Sequence, residues 1–208
     1  MASKLPTGIT VLDRQLGGGI PAGSIVTLAA TPASQSELLL YELTSTRGTL
    51  YLTTVRSDQA VQDALDRMTT RVGRPTIRDI GGDAALDHAN RLVQALPEEA
   101  NLIVDVVDVL ERTEPTRYRN FLNELQTHVM NTGGVAVLHA LDGRSVPDNR
   151  DMTEHMSDAV FELQTQVKGS EIENRLAIPK FRGGRALEET IKLRLTEEVT
   201  IDTSRDIA

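Results

Sequence analysis

The sequence predicts an α/β fold: a mostly parallel central sheet flanked by helices, with a β-hairpin and an antiparallel edge at its C-terminal end. Three observations predict it. Strand-like and helix-like segments alternate along most of the 208 residues, the order that sets strands side by side in parallel and returns the chain over the sheet in helices. Several strand candidates are almost continuously apolar, as strands covered on both faces are. The composition is aliphatic, with 39% hydrophobic residues, only 3% aromatic and no Trp, so Val, Ile, Leu and Ala must fill the core. A chain of this length is expected to form one domain over residues 1–208.

The elements follow in order. Residues 25–29 form the first core strand; Gly17-Gly18-Gly19 precede it and read as a turn. A helix over 36–45 comes next and breaks at Arg47-Gly48. Residues 49–54 are a second strand, and Ala60, Val61, Ala64, Leu65 and Met68 recur at helical spacing. Residues 76–80 make a short third strand ended by Gly81-Gly82. Leu86, Ala89, Val93 and Leu96 mark a helix that Pro97 closes.

The run 102–107 is a buried strand. Thr113 and Pro115 then start the best-marked helix, whose Tyr118, Phe121, Leu122, Leu125 and Val129 form one stripe ended by Gly133-Gly134. A strand over 135–138 follows, then a polar loop over 142–151, the longest in the chain. Residues 159–167 and 171–178 flank Lys168-Gly169-Ser170 as a β-hairpin. Late strands over 190–195 and 199–201 precede a frayed tail at 202–208.

The segment after the first strand is the most informative. Thr31-Pro32-Ala33-Ser34-Gln35-Ser36-Glu37 leads into Leu38-Leu39-Leu40. Ser34 and Glu37 stand in the S-x-x-E relation of a capping box, which predicts that Ser34 accepts from first-turn N–H groups. Glu37 would sit in the positive end of the helix dipole. Upstream lies Thr7-Gly8-Ile9-Thr10-Val11-Leu12-Asp13, then Leu16-Gly17-Gly18-Gly19-Ile20-Pro21-Ala22-Gly23-Ser24. This lead-in resembles the opening of KaiC-like and RecA-like ATPases, and the resemblance spans nearly the whole chain.

The resemblance implies a RecA-like three-layer sandwich. It also implies that the loop should cradle phosphates, with glycines for close backbone approach, a lysine for the β- and γ-phosphates and a hydroxyl for Mg²⁺. Aligned by the lead-in, the glycines fall on Ala33 and Gln35, the lysine on Ser36 and the hydroxyl on Glu37. The Walker A motif is thus degenerate. The glutamate pair that polarises water in the family falls on Val55 and Arg56, neither of which can act as a general base. Arg56 reads either as a surface arginine at a strand end or as a contact to an anion.

The Walker B strand is the best-kept feature, with Asp105 where the family orients Mg²⁺ and Asp108 close by, on the opposite face by strand spacing. Glu154 to Val160 is similar to the family's entry into its late strands. Lys180-Phe181-Arg182-Gly183 matches the "K-x-R-G" that family subunits present to a neighbour's nucleotide. Lys180 and Arg182 are therefore candidates for a trans interface, an acidic partner surface, or a solvated loop.

Composition excludes several classes. A net charge of −8 argues against general nucleic-acid binding. The absence of Cys removes disulfides, thiol nucleophiles and Cys-based metal sites. No apolar run approaches a membrane span, and Met1-Ala2-Ser3-Lys4 opens no signal peptide, so a cytoplasmic protein is expected. His88, His128, His139 and His155 show no metal-ligand spacing. His139 ends a core strand near the ligand edge, as a polar sensor or as a histidine hydrogen-bonded in place. A new enzyme at the old cleft has no acid–base pair or nucleophile that the sequence names.

The expectation is a domain without hydrolysis of its own and without a required cofactor, a pseudo-ATPase in regulation or assembly. Its partner would be a related KaiC/RecA-like ATPase or a second copy, met through the helix over 115–131 and the edge over 159–185. The alternative is a weak or non-hydrolysing ATP binder that uses Ser34, Ser36 and Asp105, with Lys180 or Arg182 from a neighbour, in nucleotide-dependent oligomers. A third reading, an accessory DNA-recombination paralogue, is disfavoured by the net charge of −8.

Overall fold

The computed structural model describes residues 3–202, so positions 203–208 of the expected frayed tail lie outside the described residues. In chain order the elements are β1 (Lys4–Leu5), α1 (Thr10–Gln15), β2 (Ile20–Pro21), β3 (Ser24–Ala30), α2 (Glu37–Thr44), β4 (Thr49–Thr53) and α3 (Asp58–Asp66). Then come β5 (Thr76–Asp79), α4 (Ala85–Val93), β6 (Asn101–Asp105), α5 (Asp108–Glu111), α6 (Pro115–Thr132) and β7 (Val135–Leu141). The chain continues through α7 (Arg150–Met156), β8 (Ala159–Lys168), β9 (Glu171–Phe181), β10 (Ile191–Leu195) and β11 (Val199–Ile201).

Among the described residues one sheet runs in the order β11-β10-β9-β8-β3-β7-β6-β4-β5. From β8 to β5 every neighbouring pair is parallel. From β8 to β11 every pair is antiparallel, which makes the predicted hairpin and edge. The period of two along each strand divides the core into two layers. Val26 and Leu28 of β3, Ile103 of β6 and Val137 of β7 join Leu39, Leu40 and Val61 on one face. Ile25, Leu102, Val104, Ala136 and Leu138 join Leu86, Phe121, Leu122 and Leu125 on the other. The result is helix–sheet–helix, a three-layer sandwich.

Three sequence expectations need correction. The strand expected over 102–107 ends at Asp105, where the chain turns through a cis Asp105–Val106 peptide. The strand-spacing argument for Asp108 therefore lapses; Asp108 instead opens α5. The loop expected over 142–151 ends at Asn149, because Arg150 begins α7 and is itself buried. Arg150 could not remain in a solvated loop, because its guanidinium pairs with Glu111 at 2.9 Å and Asp108 at 3.0 Å. Asp202, expected to fray, bonds through its N–H to the Lys192 carbonyl at 3.0 Å. No helix among the described residues is long and apolar enough to cross a membrane.

Candidate functional site

The strand parity that builds the core also builds the site. Tyr51 and Ile103 face the α2 side of the sheet. Two residues past Ile103, Asp105 shares that face; two past Val137, so does His139. β6 and β7 are neighbours, and Asp105 and His139 are direct partners in their register. Asp105 ends β6 and His139 lies two residues before the end of β7, toward the carboxyl edge where open α/β sheets place their ligands. The 31–36 loop crosses the same edge from β3 to α2.

These residues form one continuous hydrogen-bonded network. The Ser36 hydroxyl lies 3.0 Å from His139 Nε2, and His139 Nδ1 lies 2.7 Å from Asp105 Oδ1. The other carboxylate oxygen, Oδ2, accepts from the Tyr51 hydroxyl at 2.6 Å and from the Arg56 guanidinium at 2.5 Å. Arg56 also donates to the Tyr41 hydroxyl at 3.0 Å. An ionised carboxylate only accepts, so Nδ1 of His139 carries its proton. In the neutral ring Nε2 is then left to accept from Ser36.

The electrostatics follow from this geometry. Burial alone would raise the Asp105 carboxyl, but His139, the Tyr51 hydroxyl and Arg56 outweigh it and hold Asp105 well below the usual carboxylate range. Burial likewise opposes the charge on Arg56, yet Asp105 keeps that guanidinium firmly protonated. The Tyr51 phenol is pushed up, first by burial and then by the neighbouring carboxylate. Asp105 is thus a fixed anion whose counter-charge, Arg56, comes from its own chain. Of the two readings of Arg56, the contact to an anion is the one seen: its side chain, 33% exposed, is seated on Asp105.

The start of α2 also differs from the capping-box expectation. Ser34 accepts nothing from the first turn; its hydroxyl donates to the Thr31 carbonyl at 2.7 Å. The residue that precedes the helix is Ser36, already helical at φ −60 and ψ −28, and its side chain makes no cap bond because it is engaged with His139. Glu37 does lie in the first turn. Ser36 and Asp105 therefore meet in one network through His139, whereas Ser34 is held within its own turn.

Lys180 and Arg182 sit elsewhere. Lys180 donates to the carbonyls of Glu154 and His155, both at 2.7 Å, and Arg182 donates to that of His155 at 3.1 Å. These are last-turn carbonyls of α7, which a cation satisfies in both hydrogen bonding and dipole. Burial and the nearby Arg182 lower the Lys180 ammonium. Asp108 belongs to a second buried cluster, accepting from the Leu141 N–H at 3.0 Å as well as from Arg150. Among the described residues no group of three or more His, Cys, Asp and Glu is arranged to hold a metal ion.

Sequence reasoning missed Tyr51 as a site residue and left His139 between two readings. Tyr51 carries a signal, since it lies at the parity of the α2 face in a Thr-rich strand. Which strand lies beside which carries none.

No curated protein matches this chain by sequence. Among solved structures, the KaiC-like protein PH0186 from the hyperthermophilic archaeon Pyrococcus horikoshii OT3 matches with a TM-score of 0.79. The match covers 97% of this chain and 100% of that one, at 17% identity. The fold is therefore KaiC-like. A family model described as a family of unknown function, DUF7125, matches residues 4–208, and over that span the chain belongs to this family.

Proposed function

We propose that this chain is a RecA/KaiC-like domain that no longer performs nucleotide chemistry and acts as a regulatory or assembly protein through protein contacts. The partner in this reading is a related ATPase or a second copy of the chain. The carrying observation is the state of Asp105, whose carboxylate is already bound by Arg56, Tyr51 and His139. The residues present do not fit a Mg-nucleotide. A guanidinium stands at the carboxylate that would orient the cation, and the loop over 31–36 reads as a degenerate Walker A. Ala33 and Gln35 carry Cβ atoms where glycines would let the backbone close on a phosphate, and the Ser36 hydroxyl is turned to His139. A trans role for Lys180 and Arg182 requires them to leave the carbonyls of α7.

The test is thermal unfolding with and without millimolar Mg-ATP, at low salt and in molar KCl. A ligand at ~100 times its Kd stabilises by about 2.7 kcal/mol, a shift of a few degrees for a domain of this size. The expected result is no shift in either salt. A Mg²⁺-dependent shift would replace this reading with that of a nucleotide binder.

A further inference from the structure

We propose that Ser36, His139 and Asp105 form a nucleophile–base–carboxylate relay that hydrolyses small acyl esters. Ser36 is the nucleophile, His139 the general base, and Asp105 the residue that positions the imidazole. Three residues far apart in sequence meet with the two contacts such chemistry needs. The first, 3.0 Å, joins hydroxyl to imidazole, and the second, 2.7 Å, joins imidazole to carboxylate. The tautomer is set correctly, because the carboxylate holds the Nδ1 proton and presents the Nε2 lone pair to the serine.

The fold supports the assignment independently. Ser36 stands at the turn from a central parallel strand, β3, into a helix, α2. His139 and Asp105 lie toward the carboxyl ends of the next two strands of the sheet, β7 and β6. The order along the chain is Ser, Asp, His, the order used by α/β-hydrolases on an unrelated sheet. The N–H immediately after the serine belongs to Glu37, first residue of α2, and would serve as the donor to a developing oxyanion. Arg56 and Tyr51 add a role of their own here, since they keep Asp105 ionised and fixed.

The step balances without a cofactor. Ser36 Oγ attacks the ester carbonyl as its proton passes to His139 Nε2. The tetrahedral centre collapses, the C–O bond to the alcohol breaks, and Nε2 returns the proton to the departing alkoxide. Water, deprotonated by Nε2, then attacks the acyl-serine; the bond to Ser36 Oγ breaks, Nε2 returns the proton to Oγ, and the acid is released. Ser36 is only 2% exposed, so the site admits a slim acyl group rather than a bulky one. Pro32, Ala33 and Gln35 of the preceding loop are exposed.

The experiment exposes the folded full-length chain to a small alkyl fluorophosphonate and locates the adduct by peptide mass spectrometry, with p-nitrophenyl acetate as the turnover probe. A single adduct on Ser36, absent from heat-unfolded chain, is expected. Ser36→Ala should remove the adduct, and His139→Gln should slow labelling about a hundredfold. Mapping on the native chain needs no variant, so a variant that fails to fold does not blunt the test. An unmodified Ser36 in folded chain, while a reference serine hydrolase in the same tube is fully labelled, overturns the proposal. So does ester hydrolysis that Ser36→Ala leaves unchanged. The readout is independent of Mg-ATP, so this proposal and the nucleotide reading stand or fall separately.

Discussion

The carboxylate of Asp105 accepts from Tyr51, Arg56 and His139 in a site almost closed to water. Removing its charge leaves a partly buried guanidinium and a buried imidazole without their partner. Asp105→Asn should therefore cost roughly 3–5 kcal/mol, the range for breaking a buried pair from one side, measured by urea unfolding at neutral pH. Arg56→Ala should cost about 2–3 kcal/mol, because the carboxylate it leaves is buried but still bonded by Tyr51 and His139. The pH dependence has a definite sign. Because the folded carboxyl lies below its ordinary 3.8, its contribution is complete above that value. It is lost progressively as pH falls further and the unfolded chain takes up the proton first. Urea midpoints of the natural chain should thus fall steeply below about pH 4, and the fall should be shallower in Asp105→Asn.

At the scale of elements, the ends of helices are where local chemistry is most visible. α6 ends at Gly133 in the left-handed conformation, φ 69. A Cβ there meets nothing within 4 Å, so Gly133→Ala should cost only the backbone penalty, about 1 kcal/mol. Its neighbour differs, because a Cβ on Gly134 would come within 2.4 Å of the Ala100 carbonyl oxygen. Gly134→Ala must displace backbone and should lower the melting temperature further than Gly133→Ala. The C-terminal end of α7 is held by Lys180 and Arg182 reaching back from β9 and the turn after it. Lys180→Ala should therefore speed amide exchange across 150–156 without changing that of α6. Equal exchange in both chains would show that the lysine is not needed at the end of α7.

For the whole molecule, the sheet decides what a restored loop can do. Replacing Ala33, Gln35, Ser36 and Glu37 by Gly, Gly, Lys and Thr returns the loop chemistry but leaves Arg56 on Asp105, so no Mg-ATP stabilisation is expected from those four changes. Adding Arg56→Ala frees the carboxylate, and only then should a Mg²⁺-dependent thermal shift appear. A shift with the four loop changes alone would show that Arg56 yields to a cation. The overall architecture bears on this, because β3, β7, β6 and β4 are neighbours and carry the loop, His139, Asp105 and Tyr51 to one edge. Two buried layers hold that edge, so the side chains on it have little freedom to rearrange independently.

The sequence by itself determined the α/β alternation, most strand and helix positions, the stop of α6 at Gly133 and the C-terminal hairpin, because these depend on local periodicity and turn chemistry. It also placed Asp105 at a strand end, but it closed β7 at residue 138, whereas the strand runs through His139 to Leu141. It found α2 to within a residue but misassigned its cap, since S-x-x-E is a local signal and Ser34 instead donates to Thr31 while Ser36 is drawn to a partner 103 residues away. It put the first two residues of α7 in a loop and named no helix over 150–156, since that short helix has few apolar positions and is anchored by the buried Arg150 with Asp108 and Glu111. Only the tertiary structure decided that β7 lies between β3 and β6, and that pairing joins Ser36, His139 and Asp105. Strand order is a long-range choice made by packing, and no spacing along the chain encodes it.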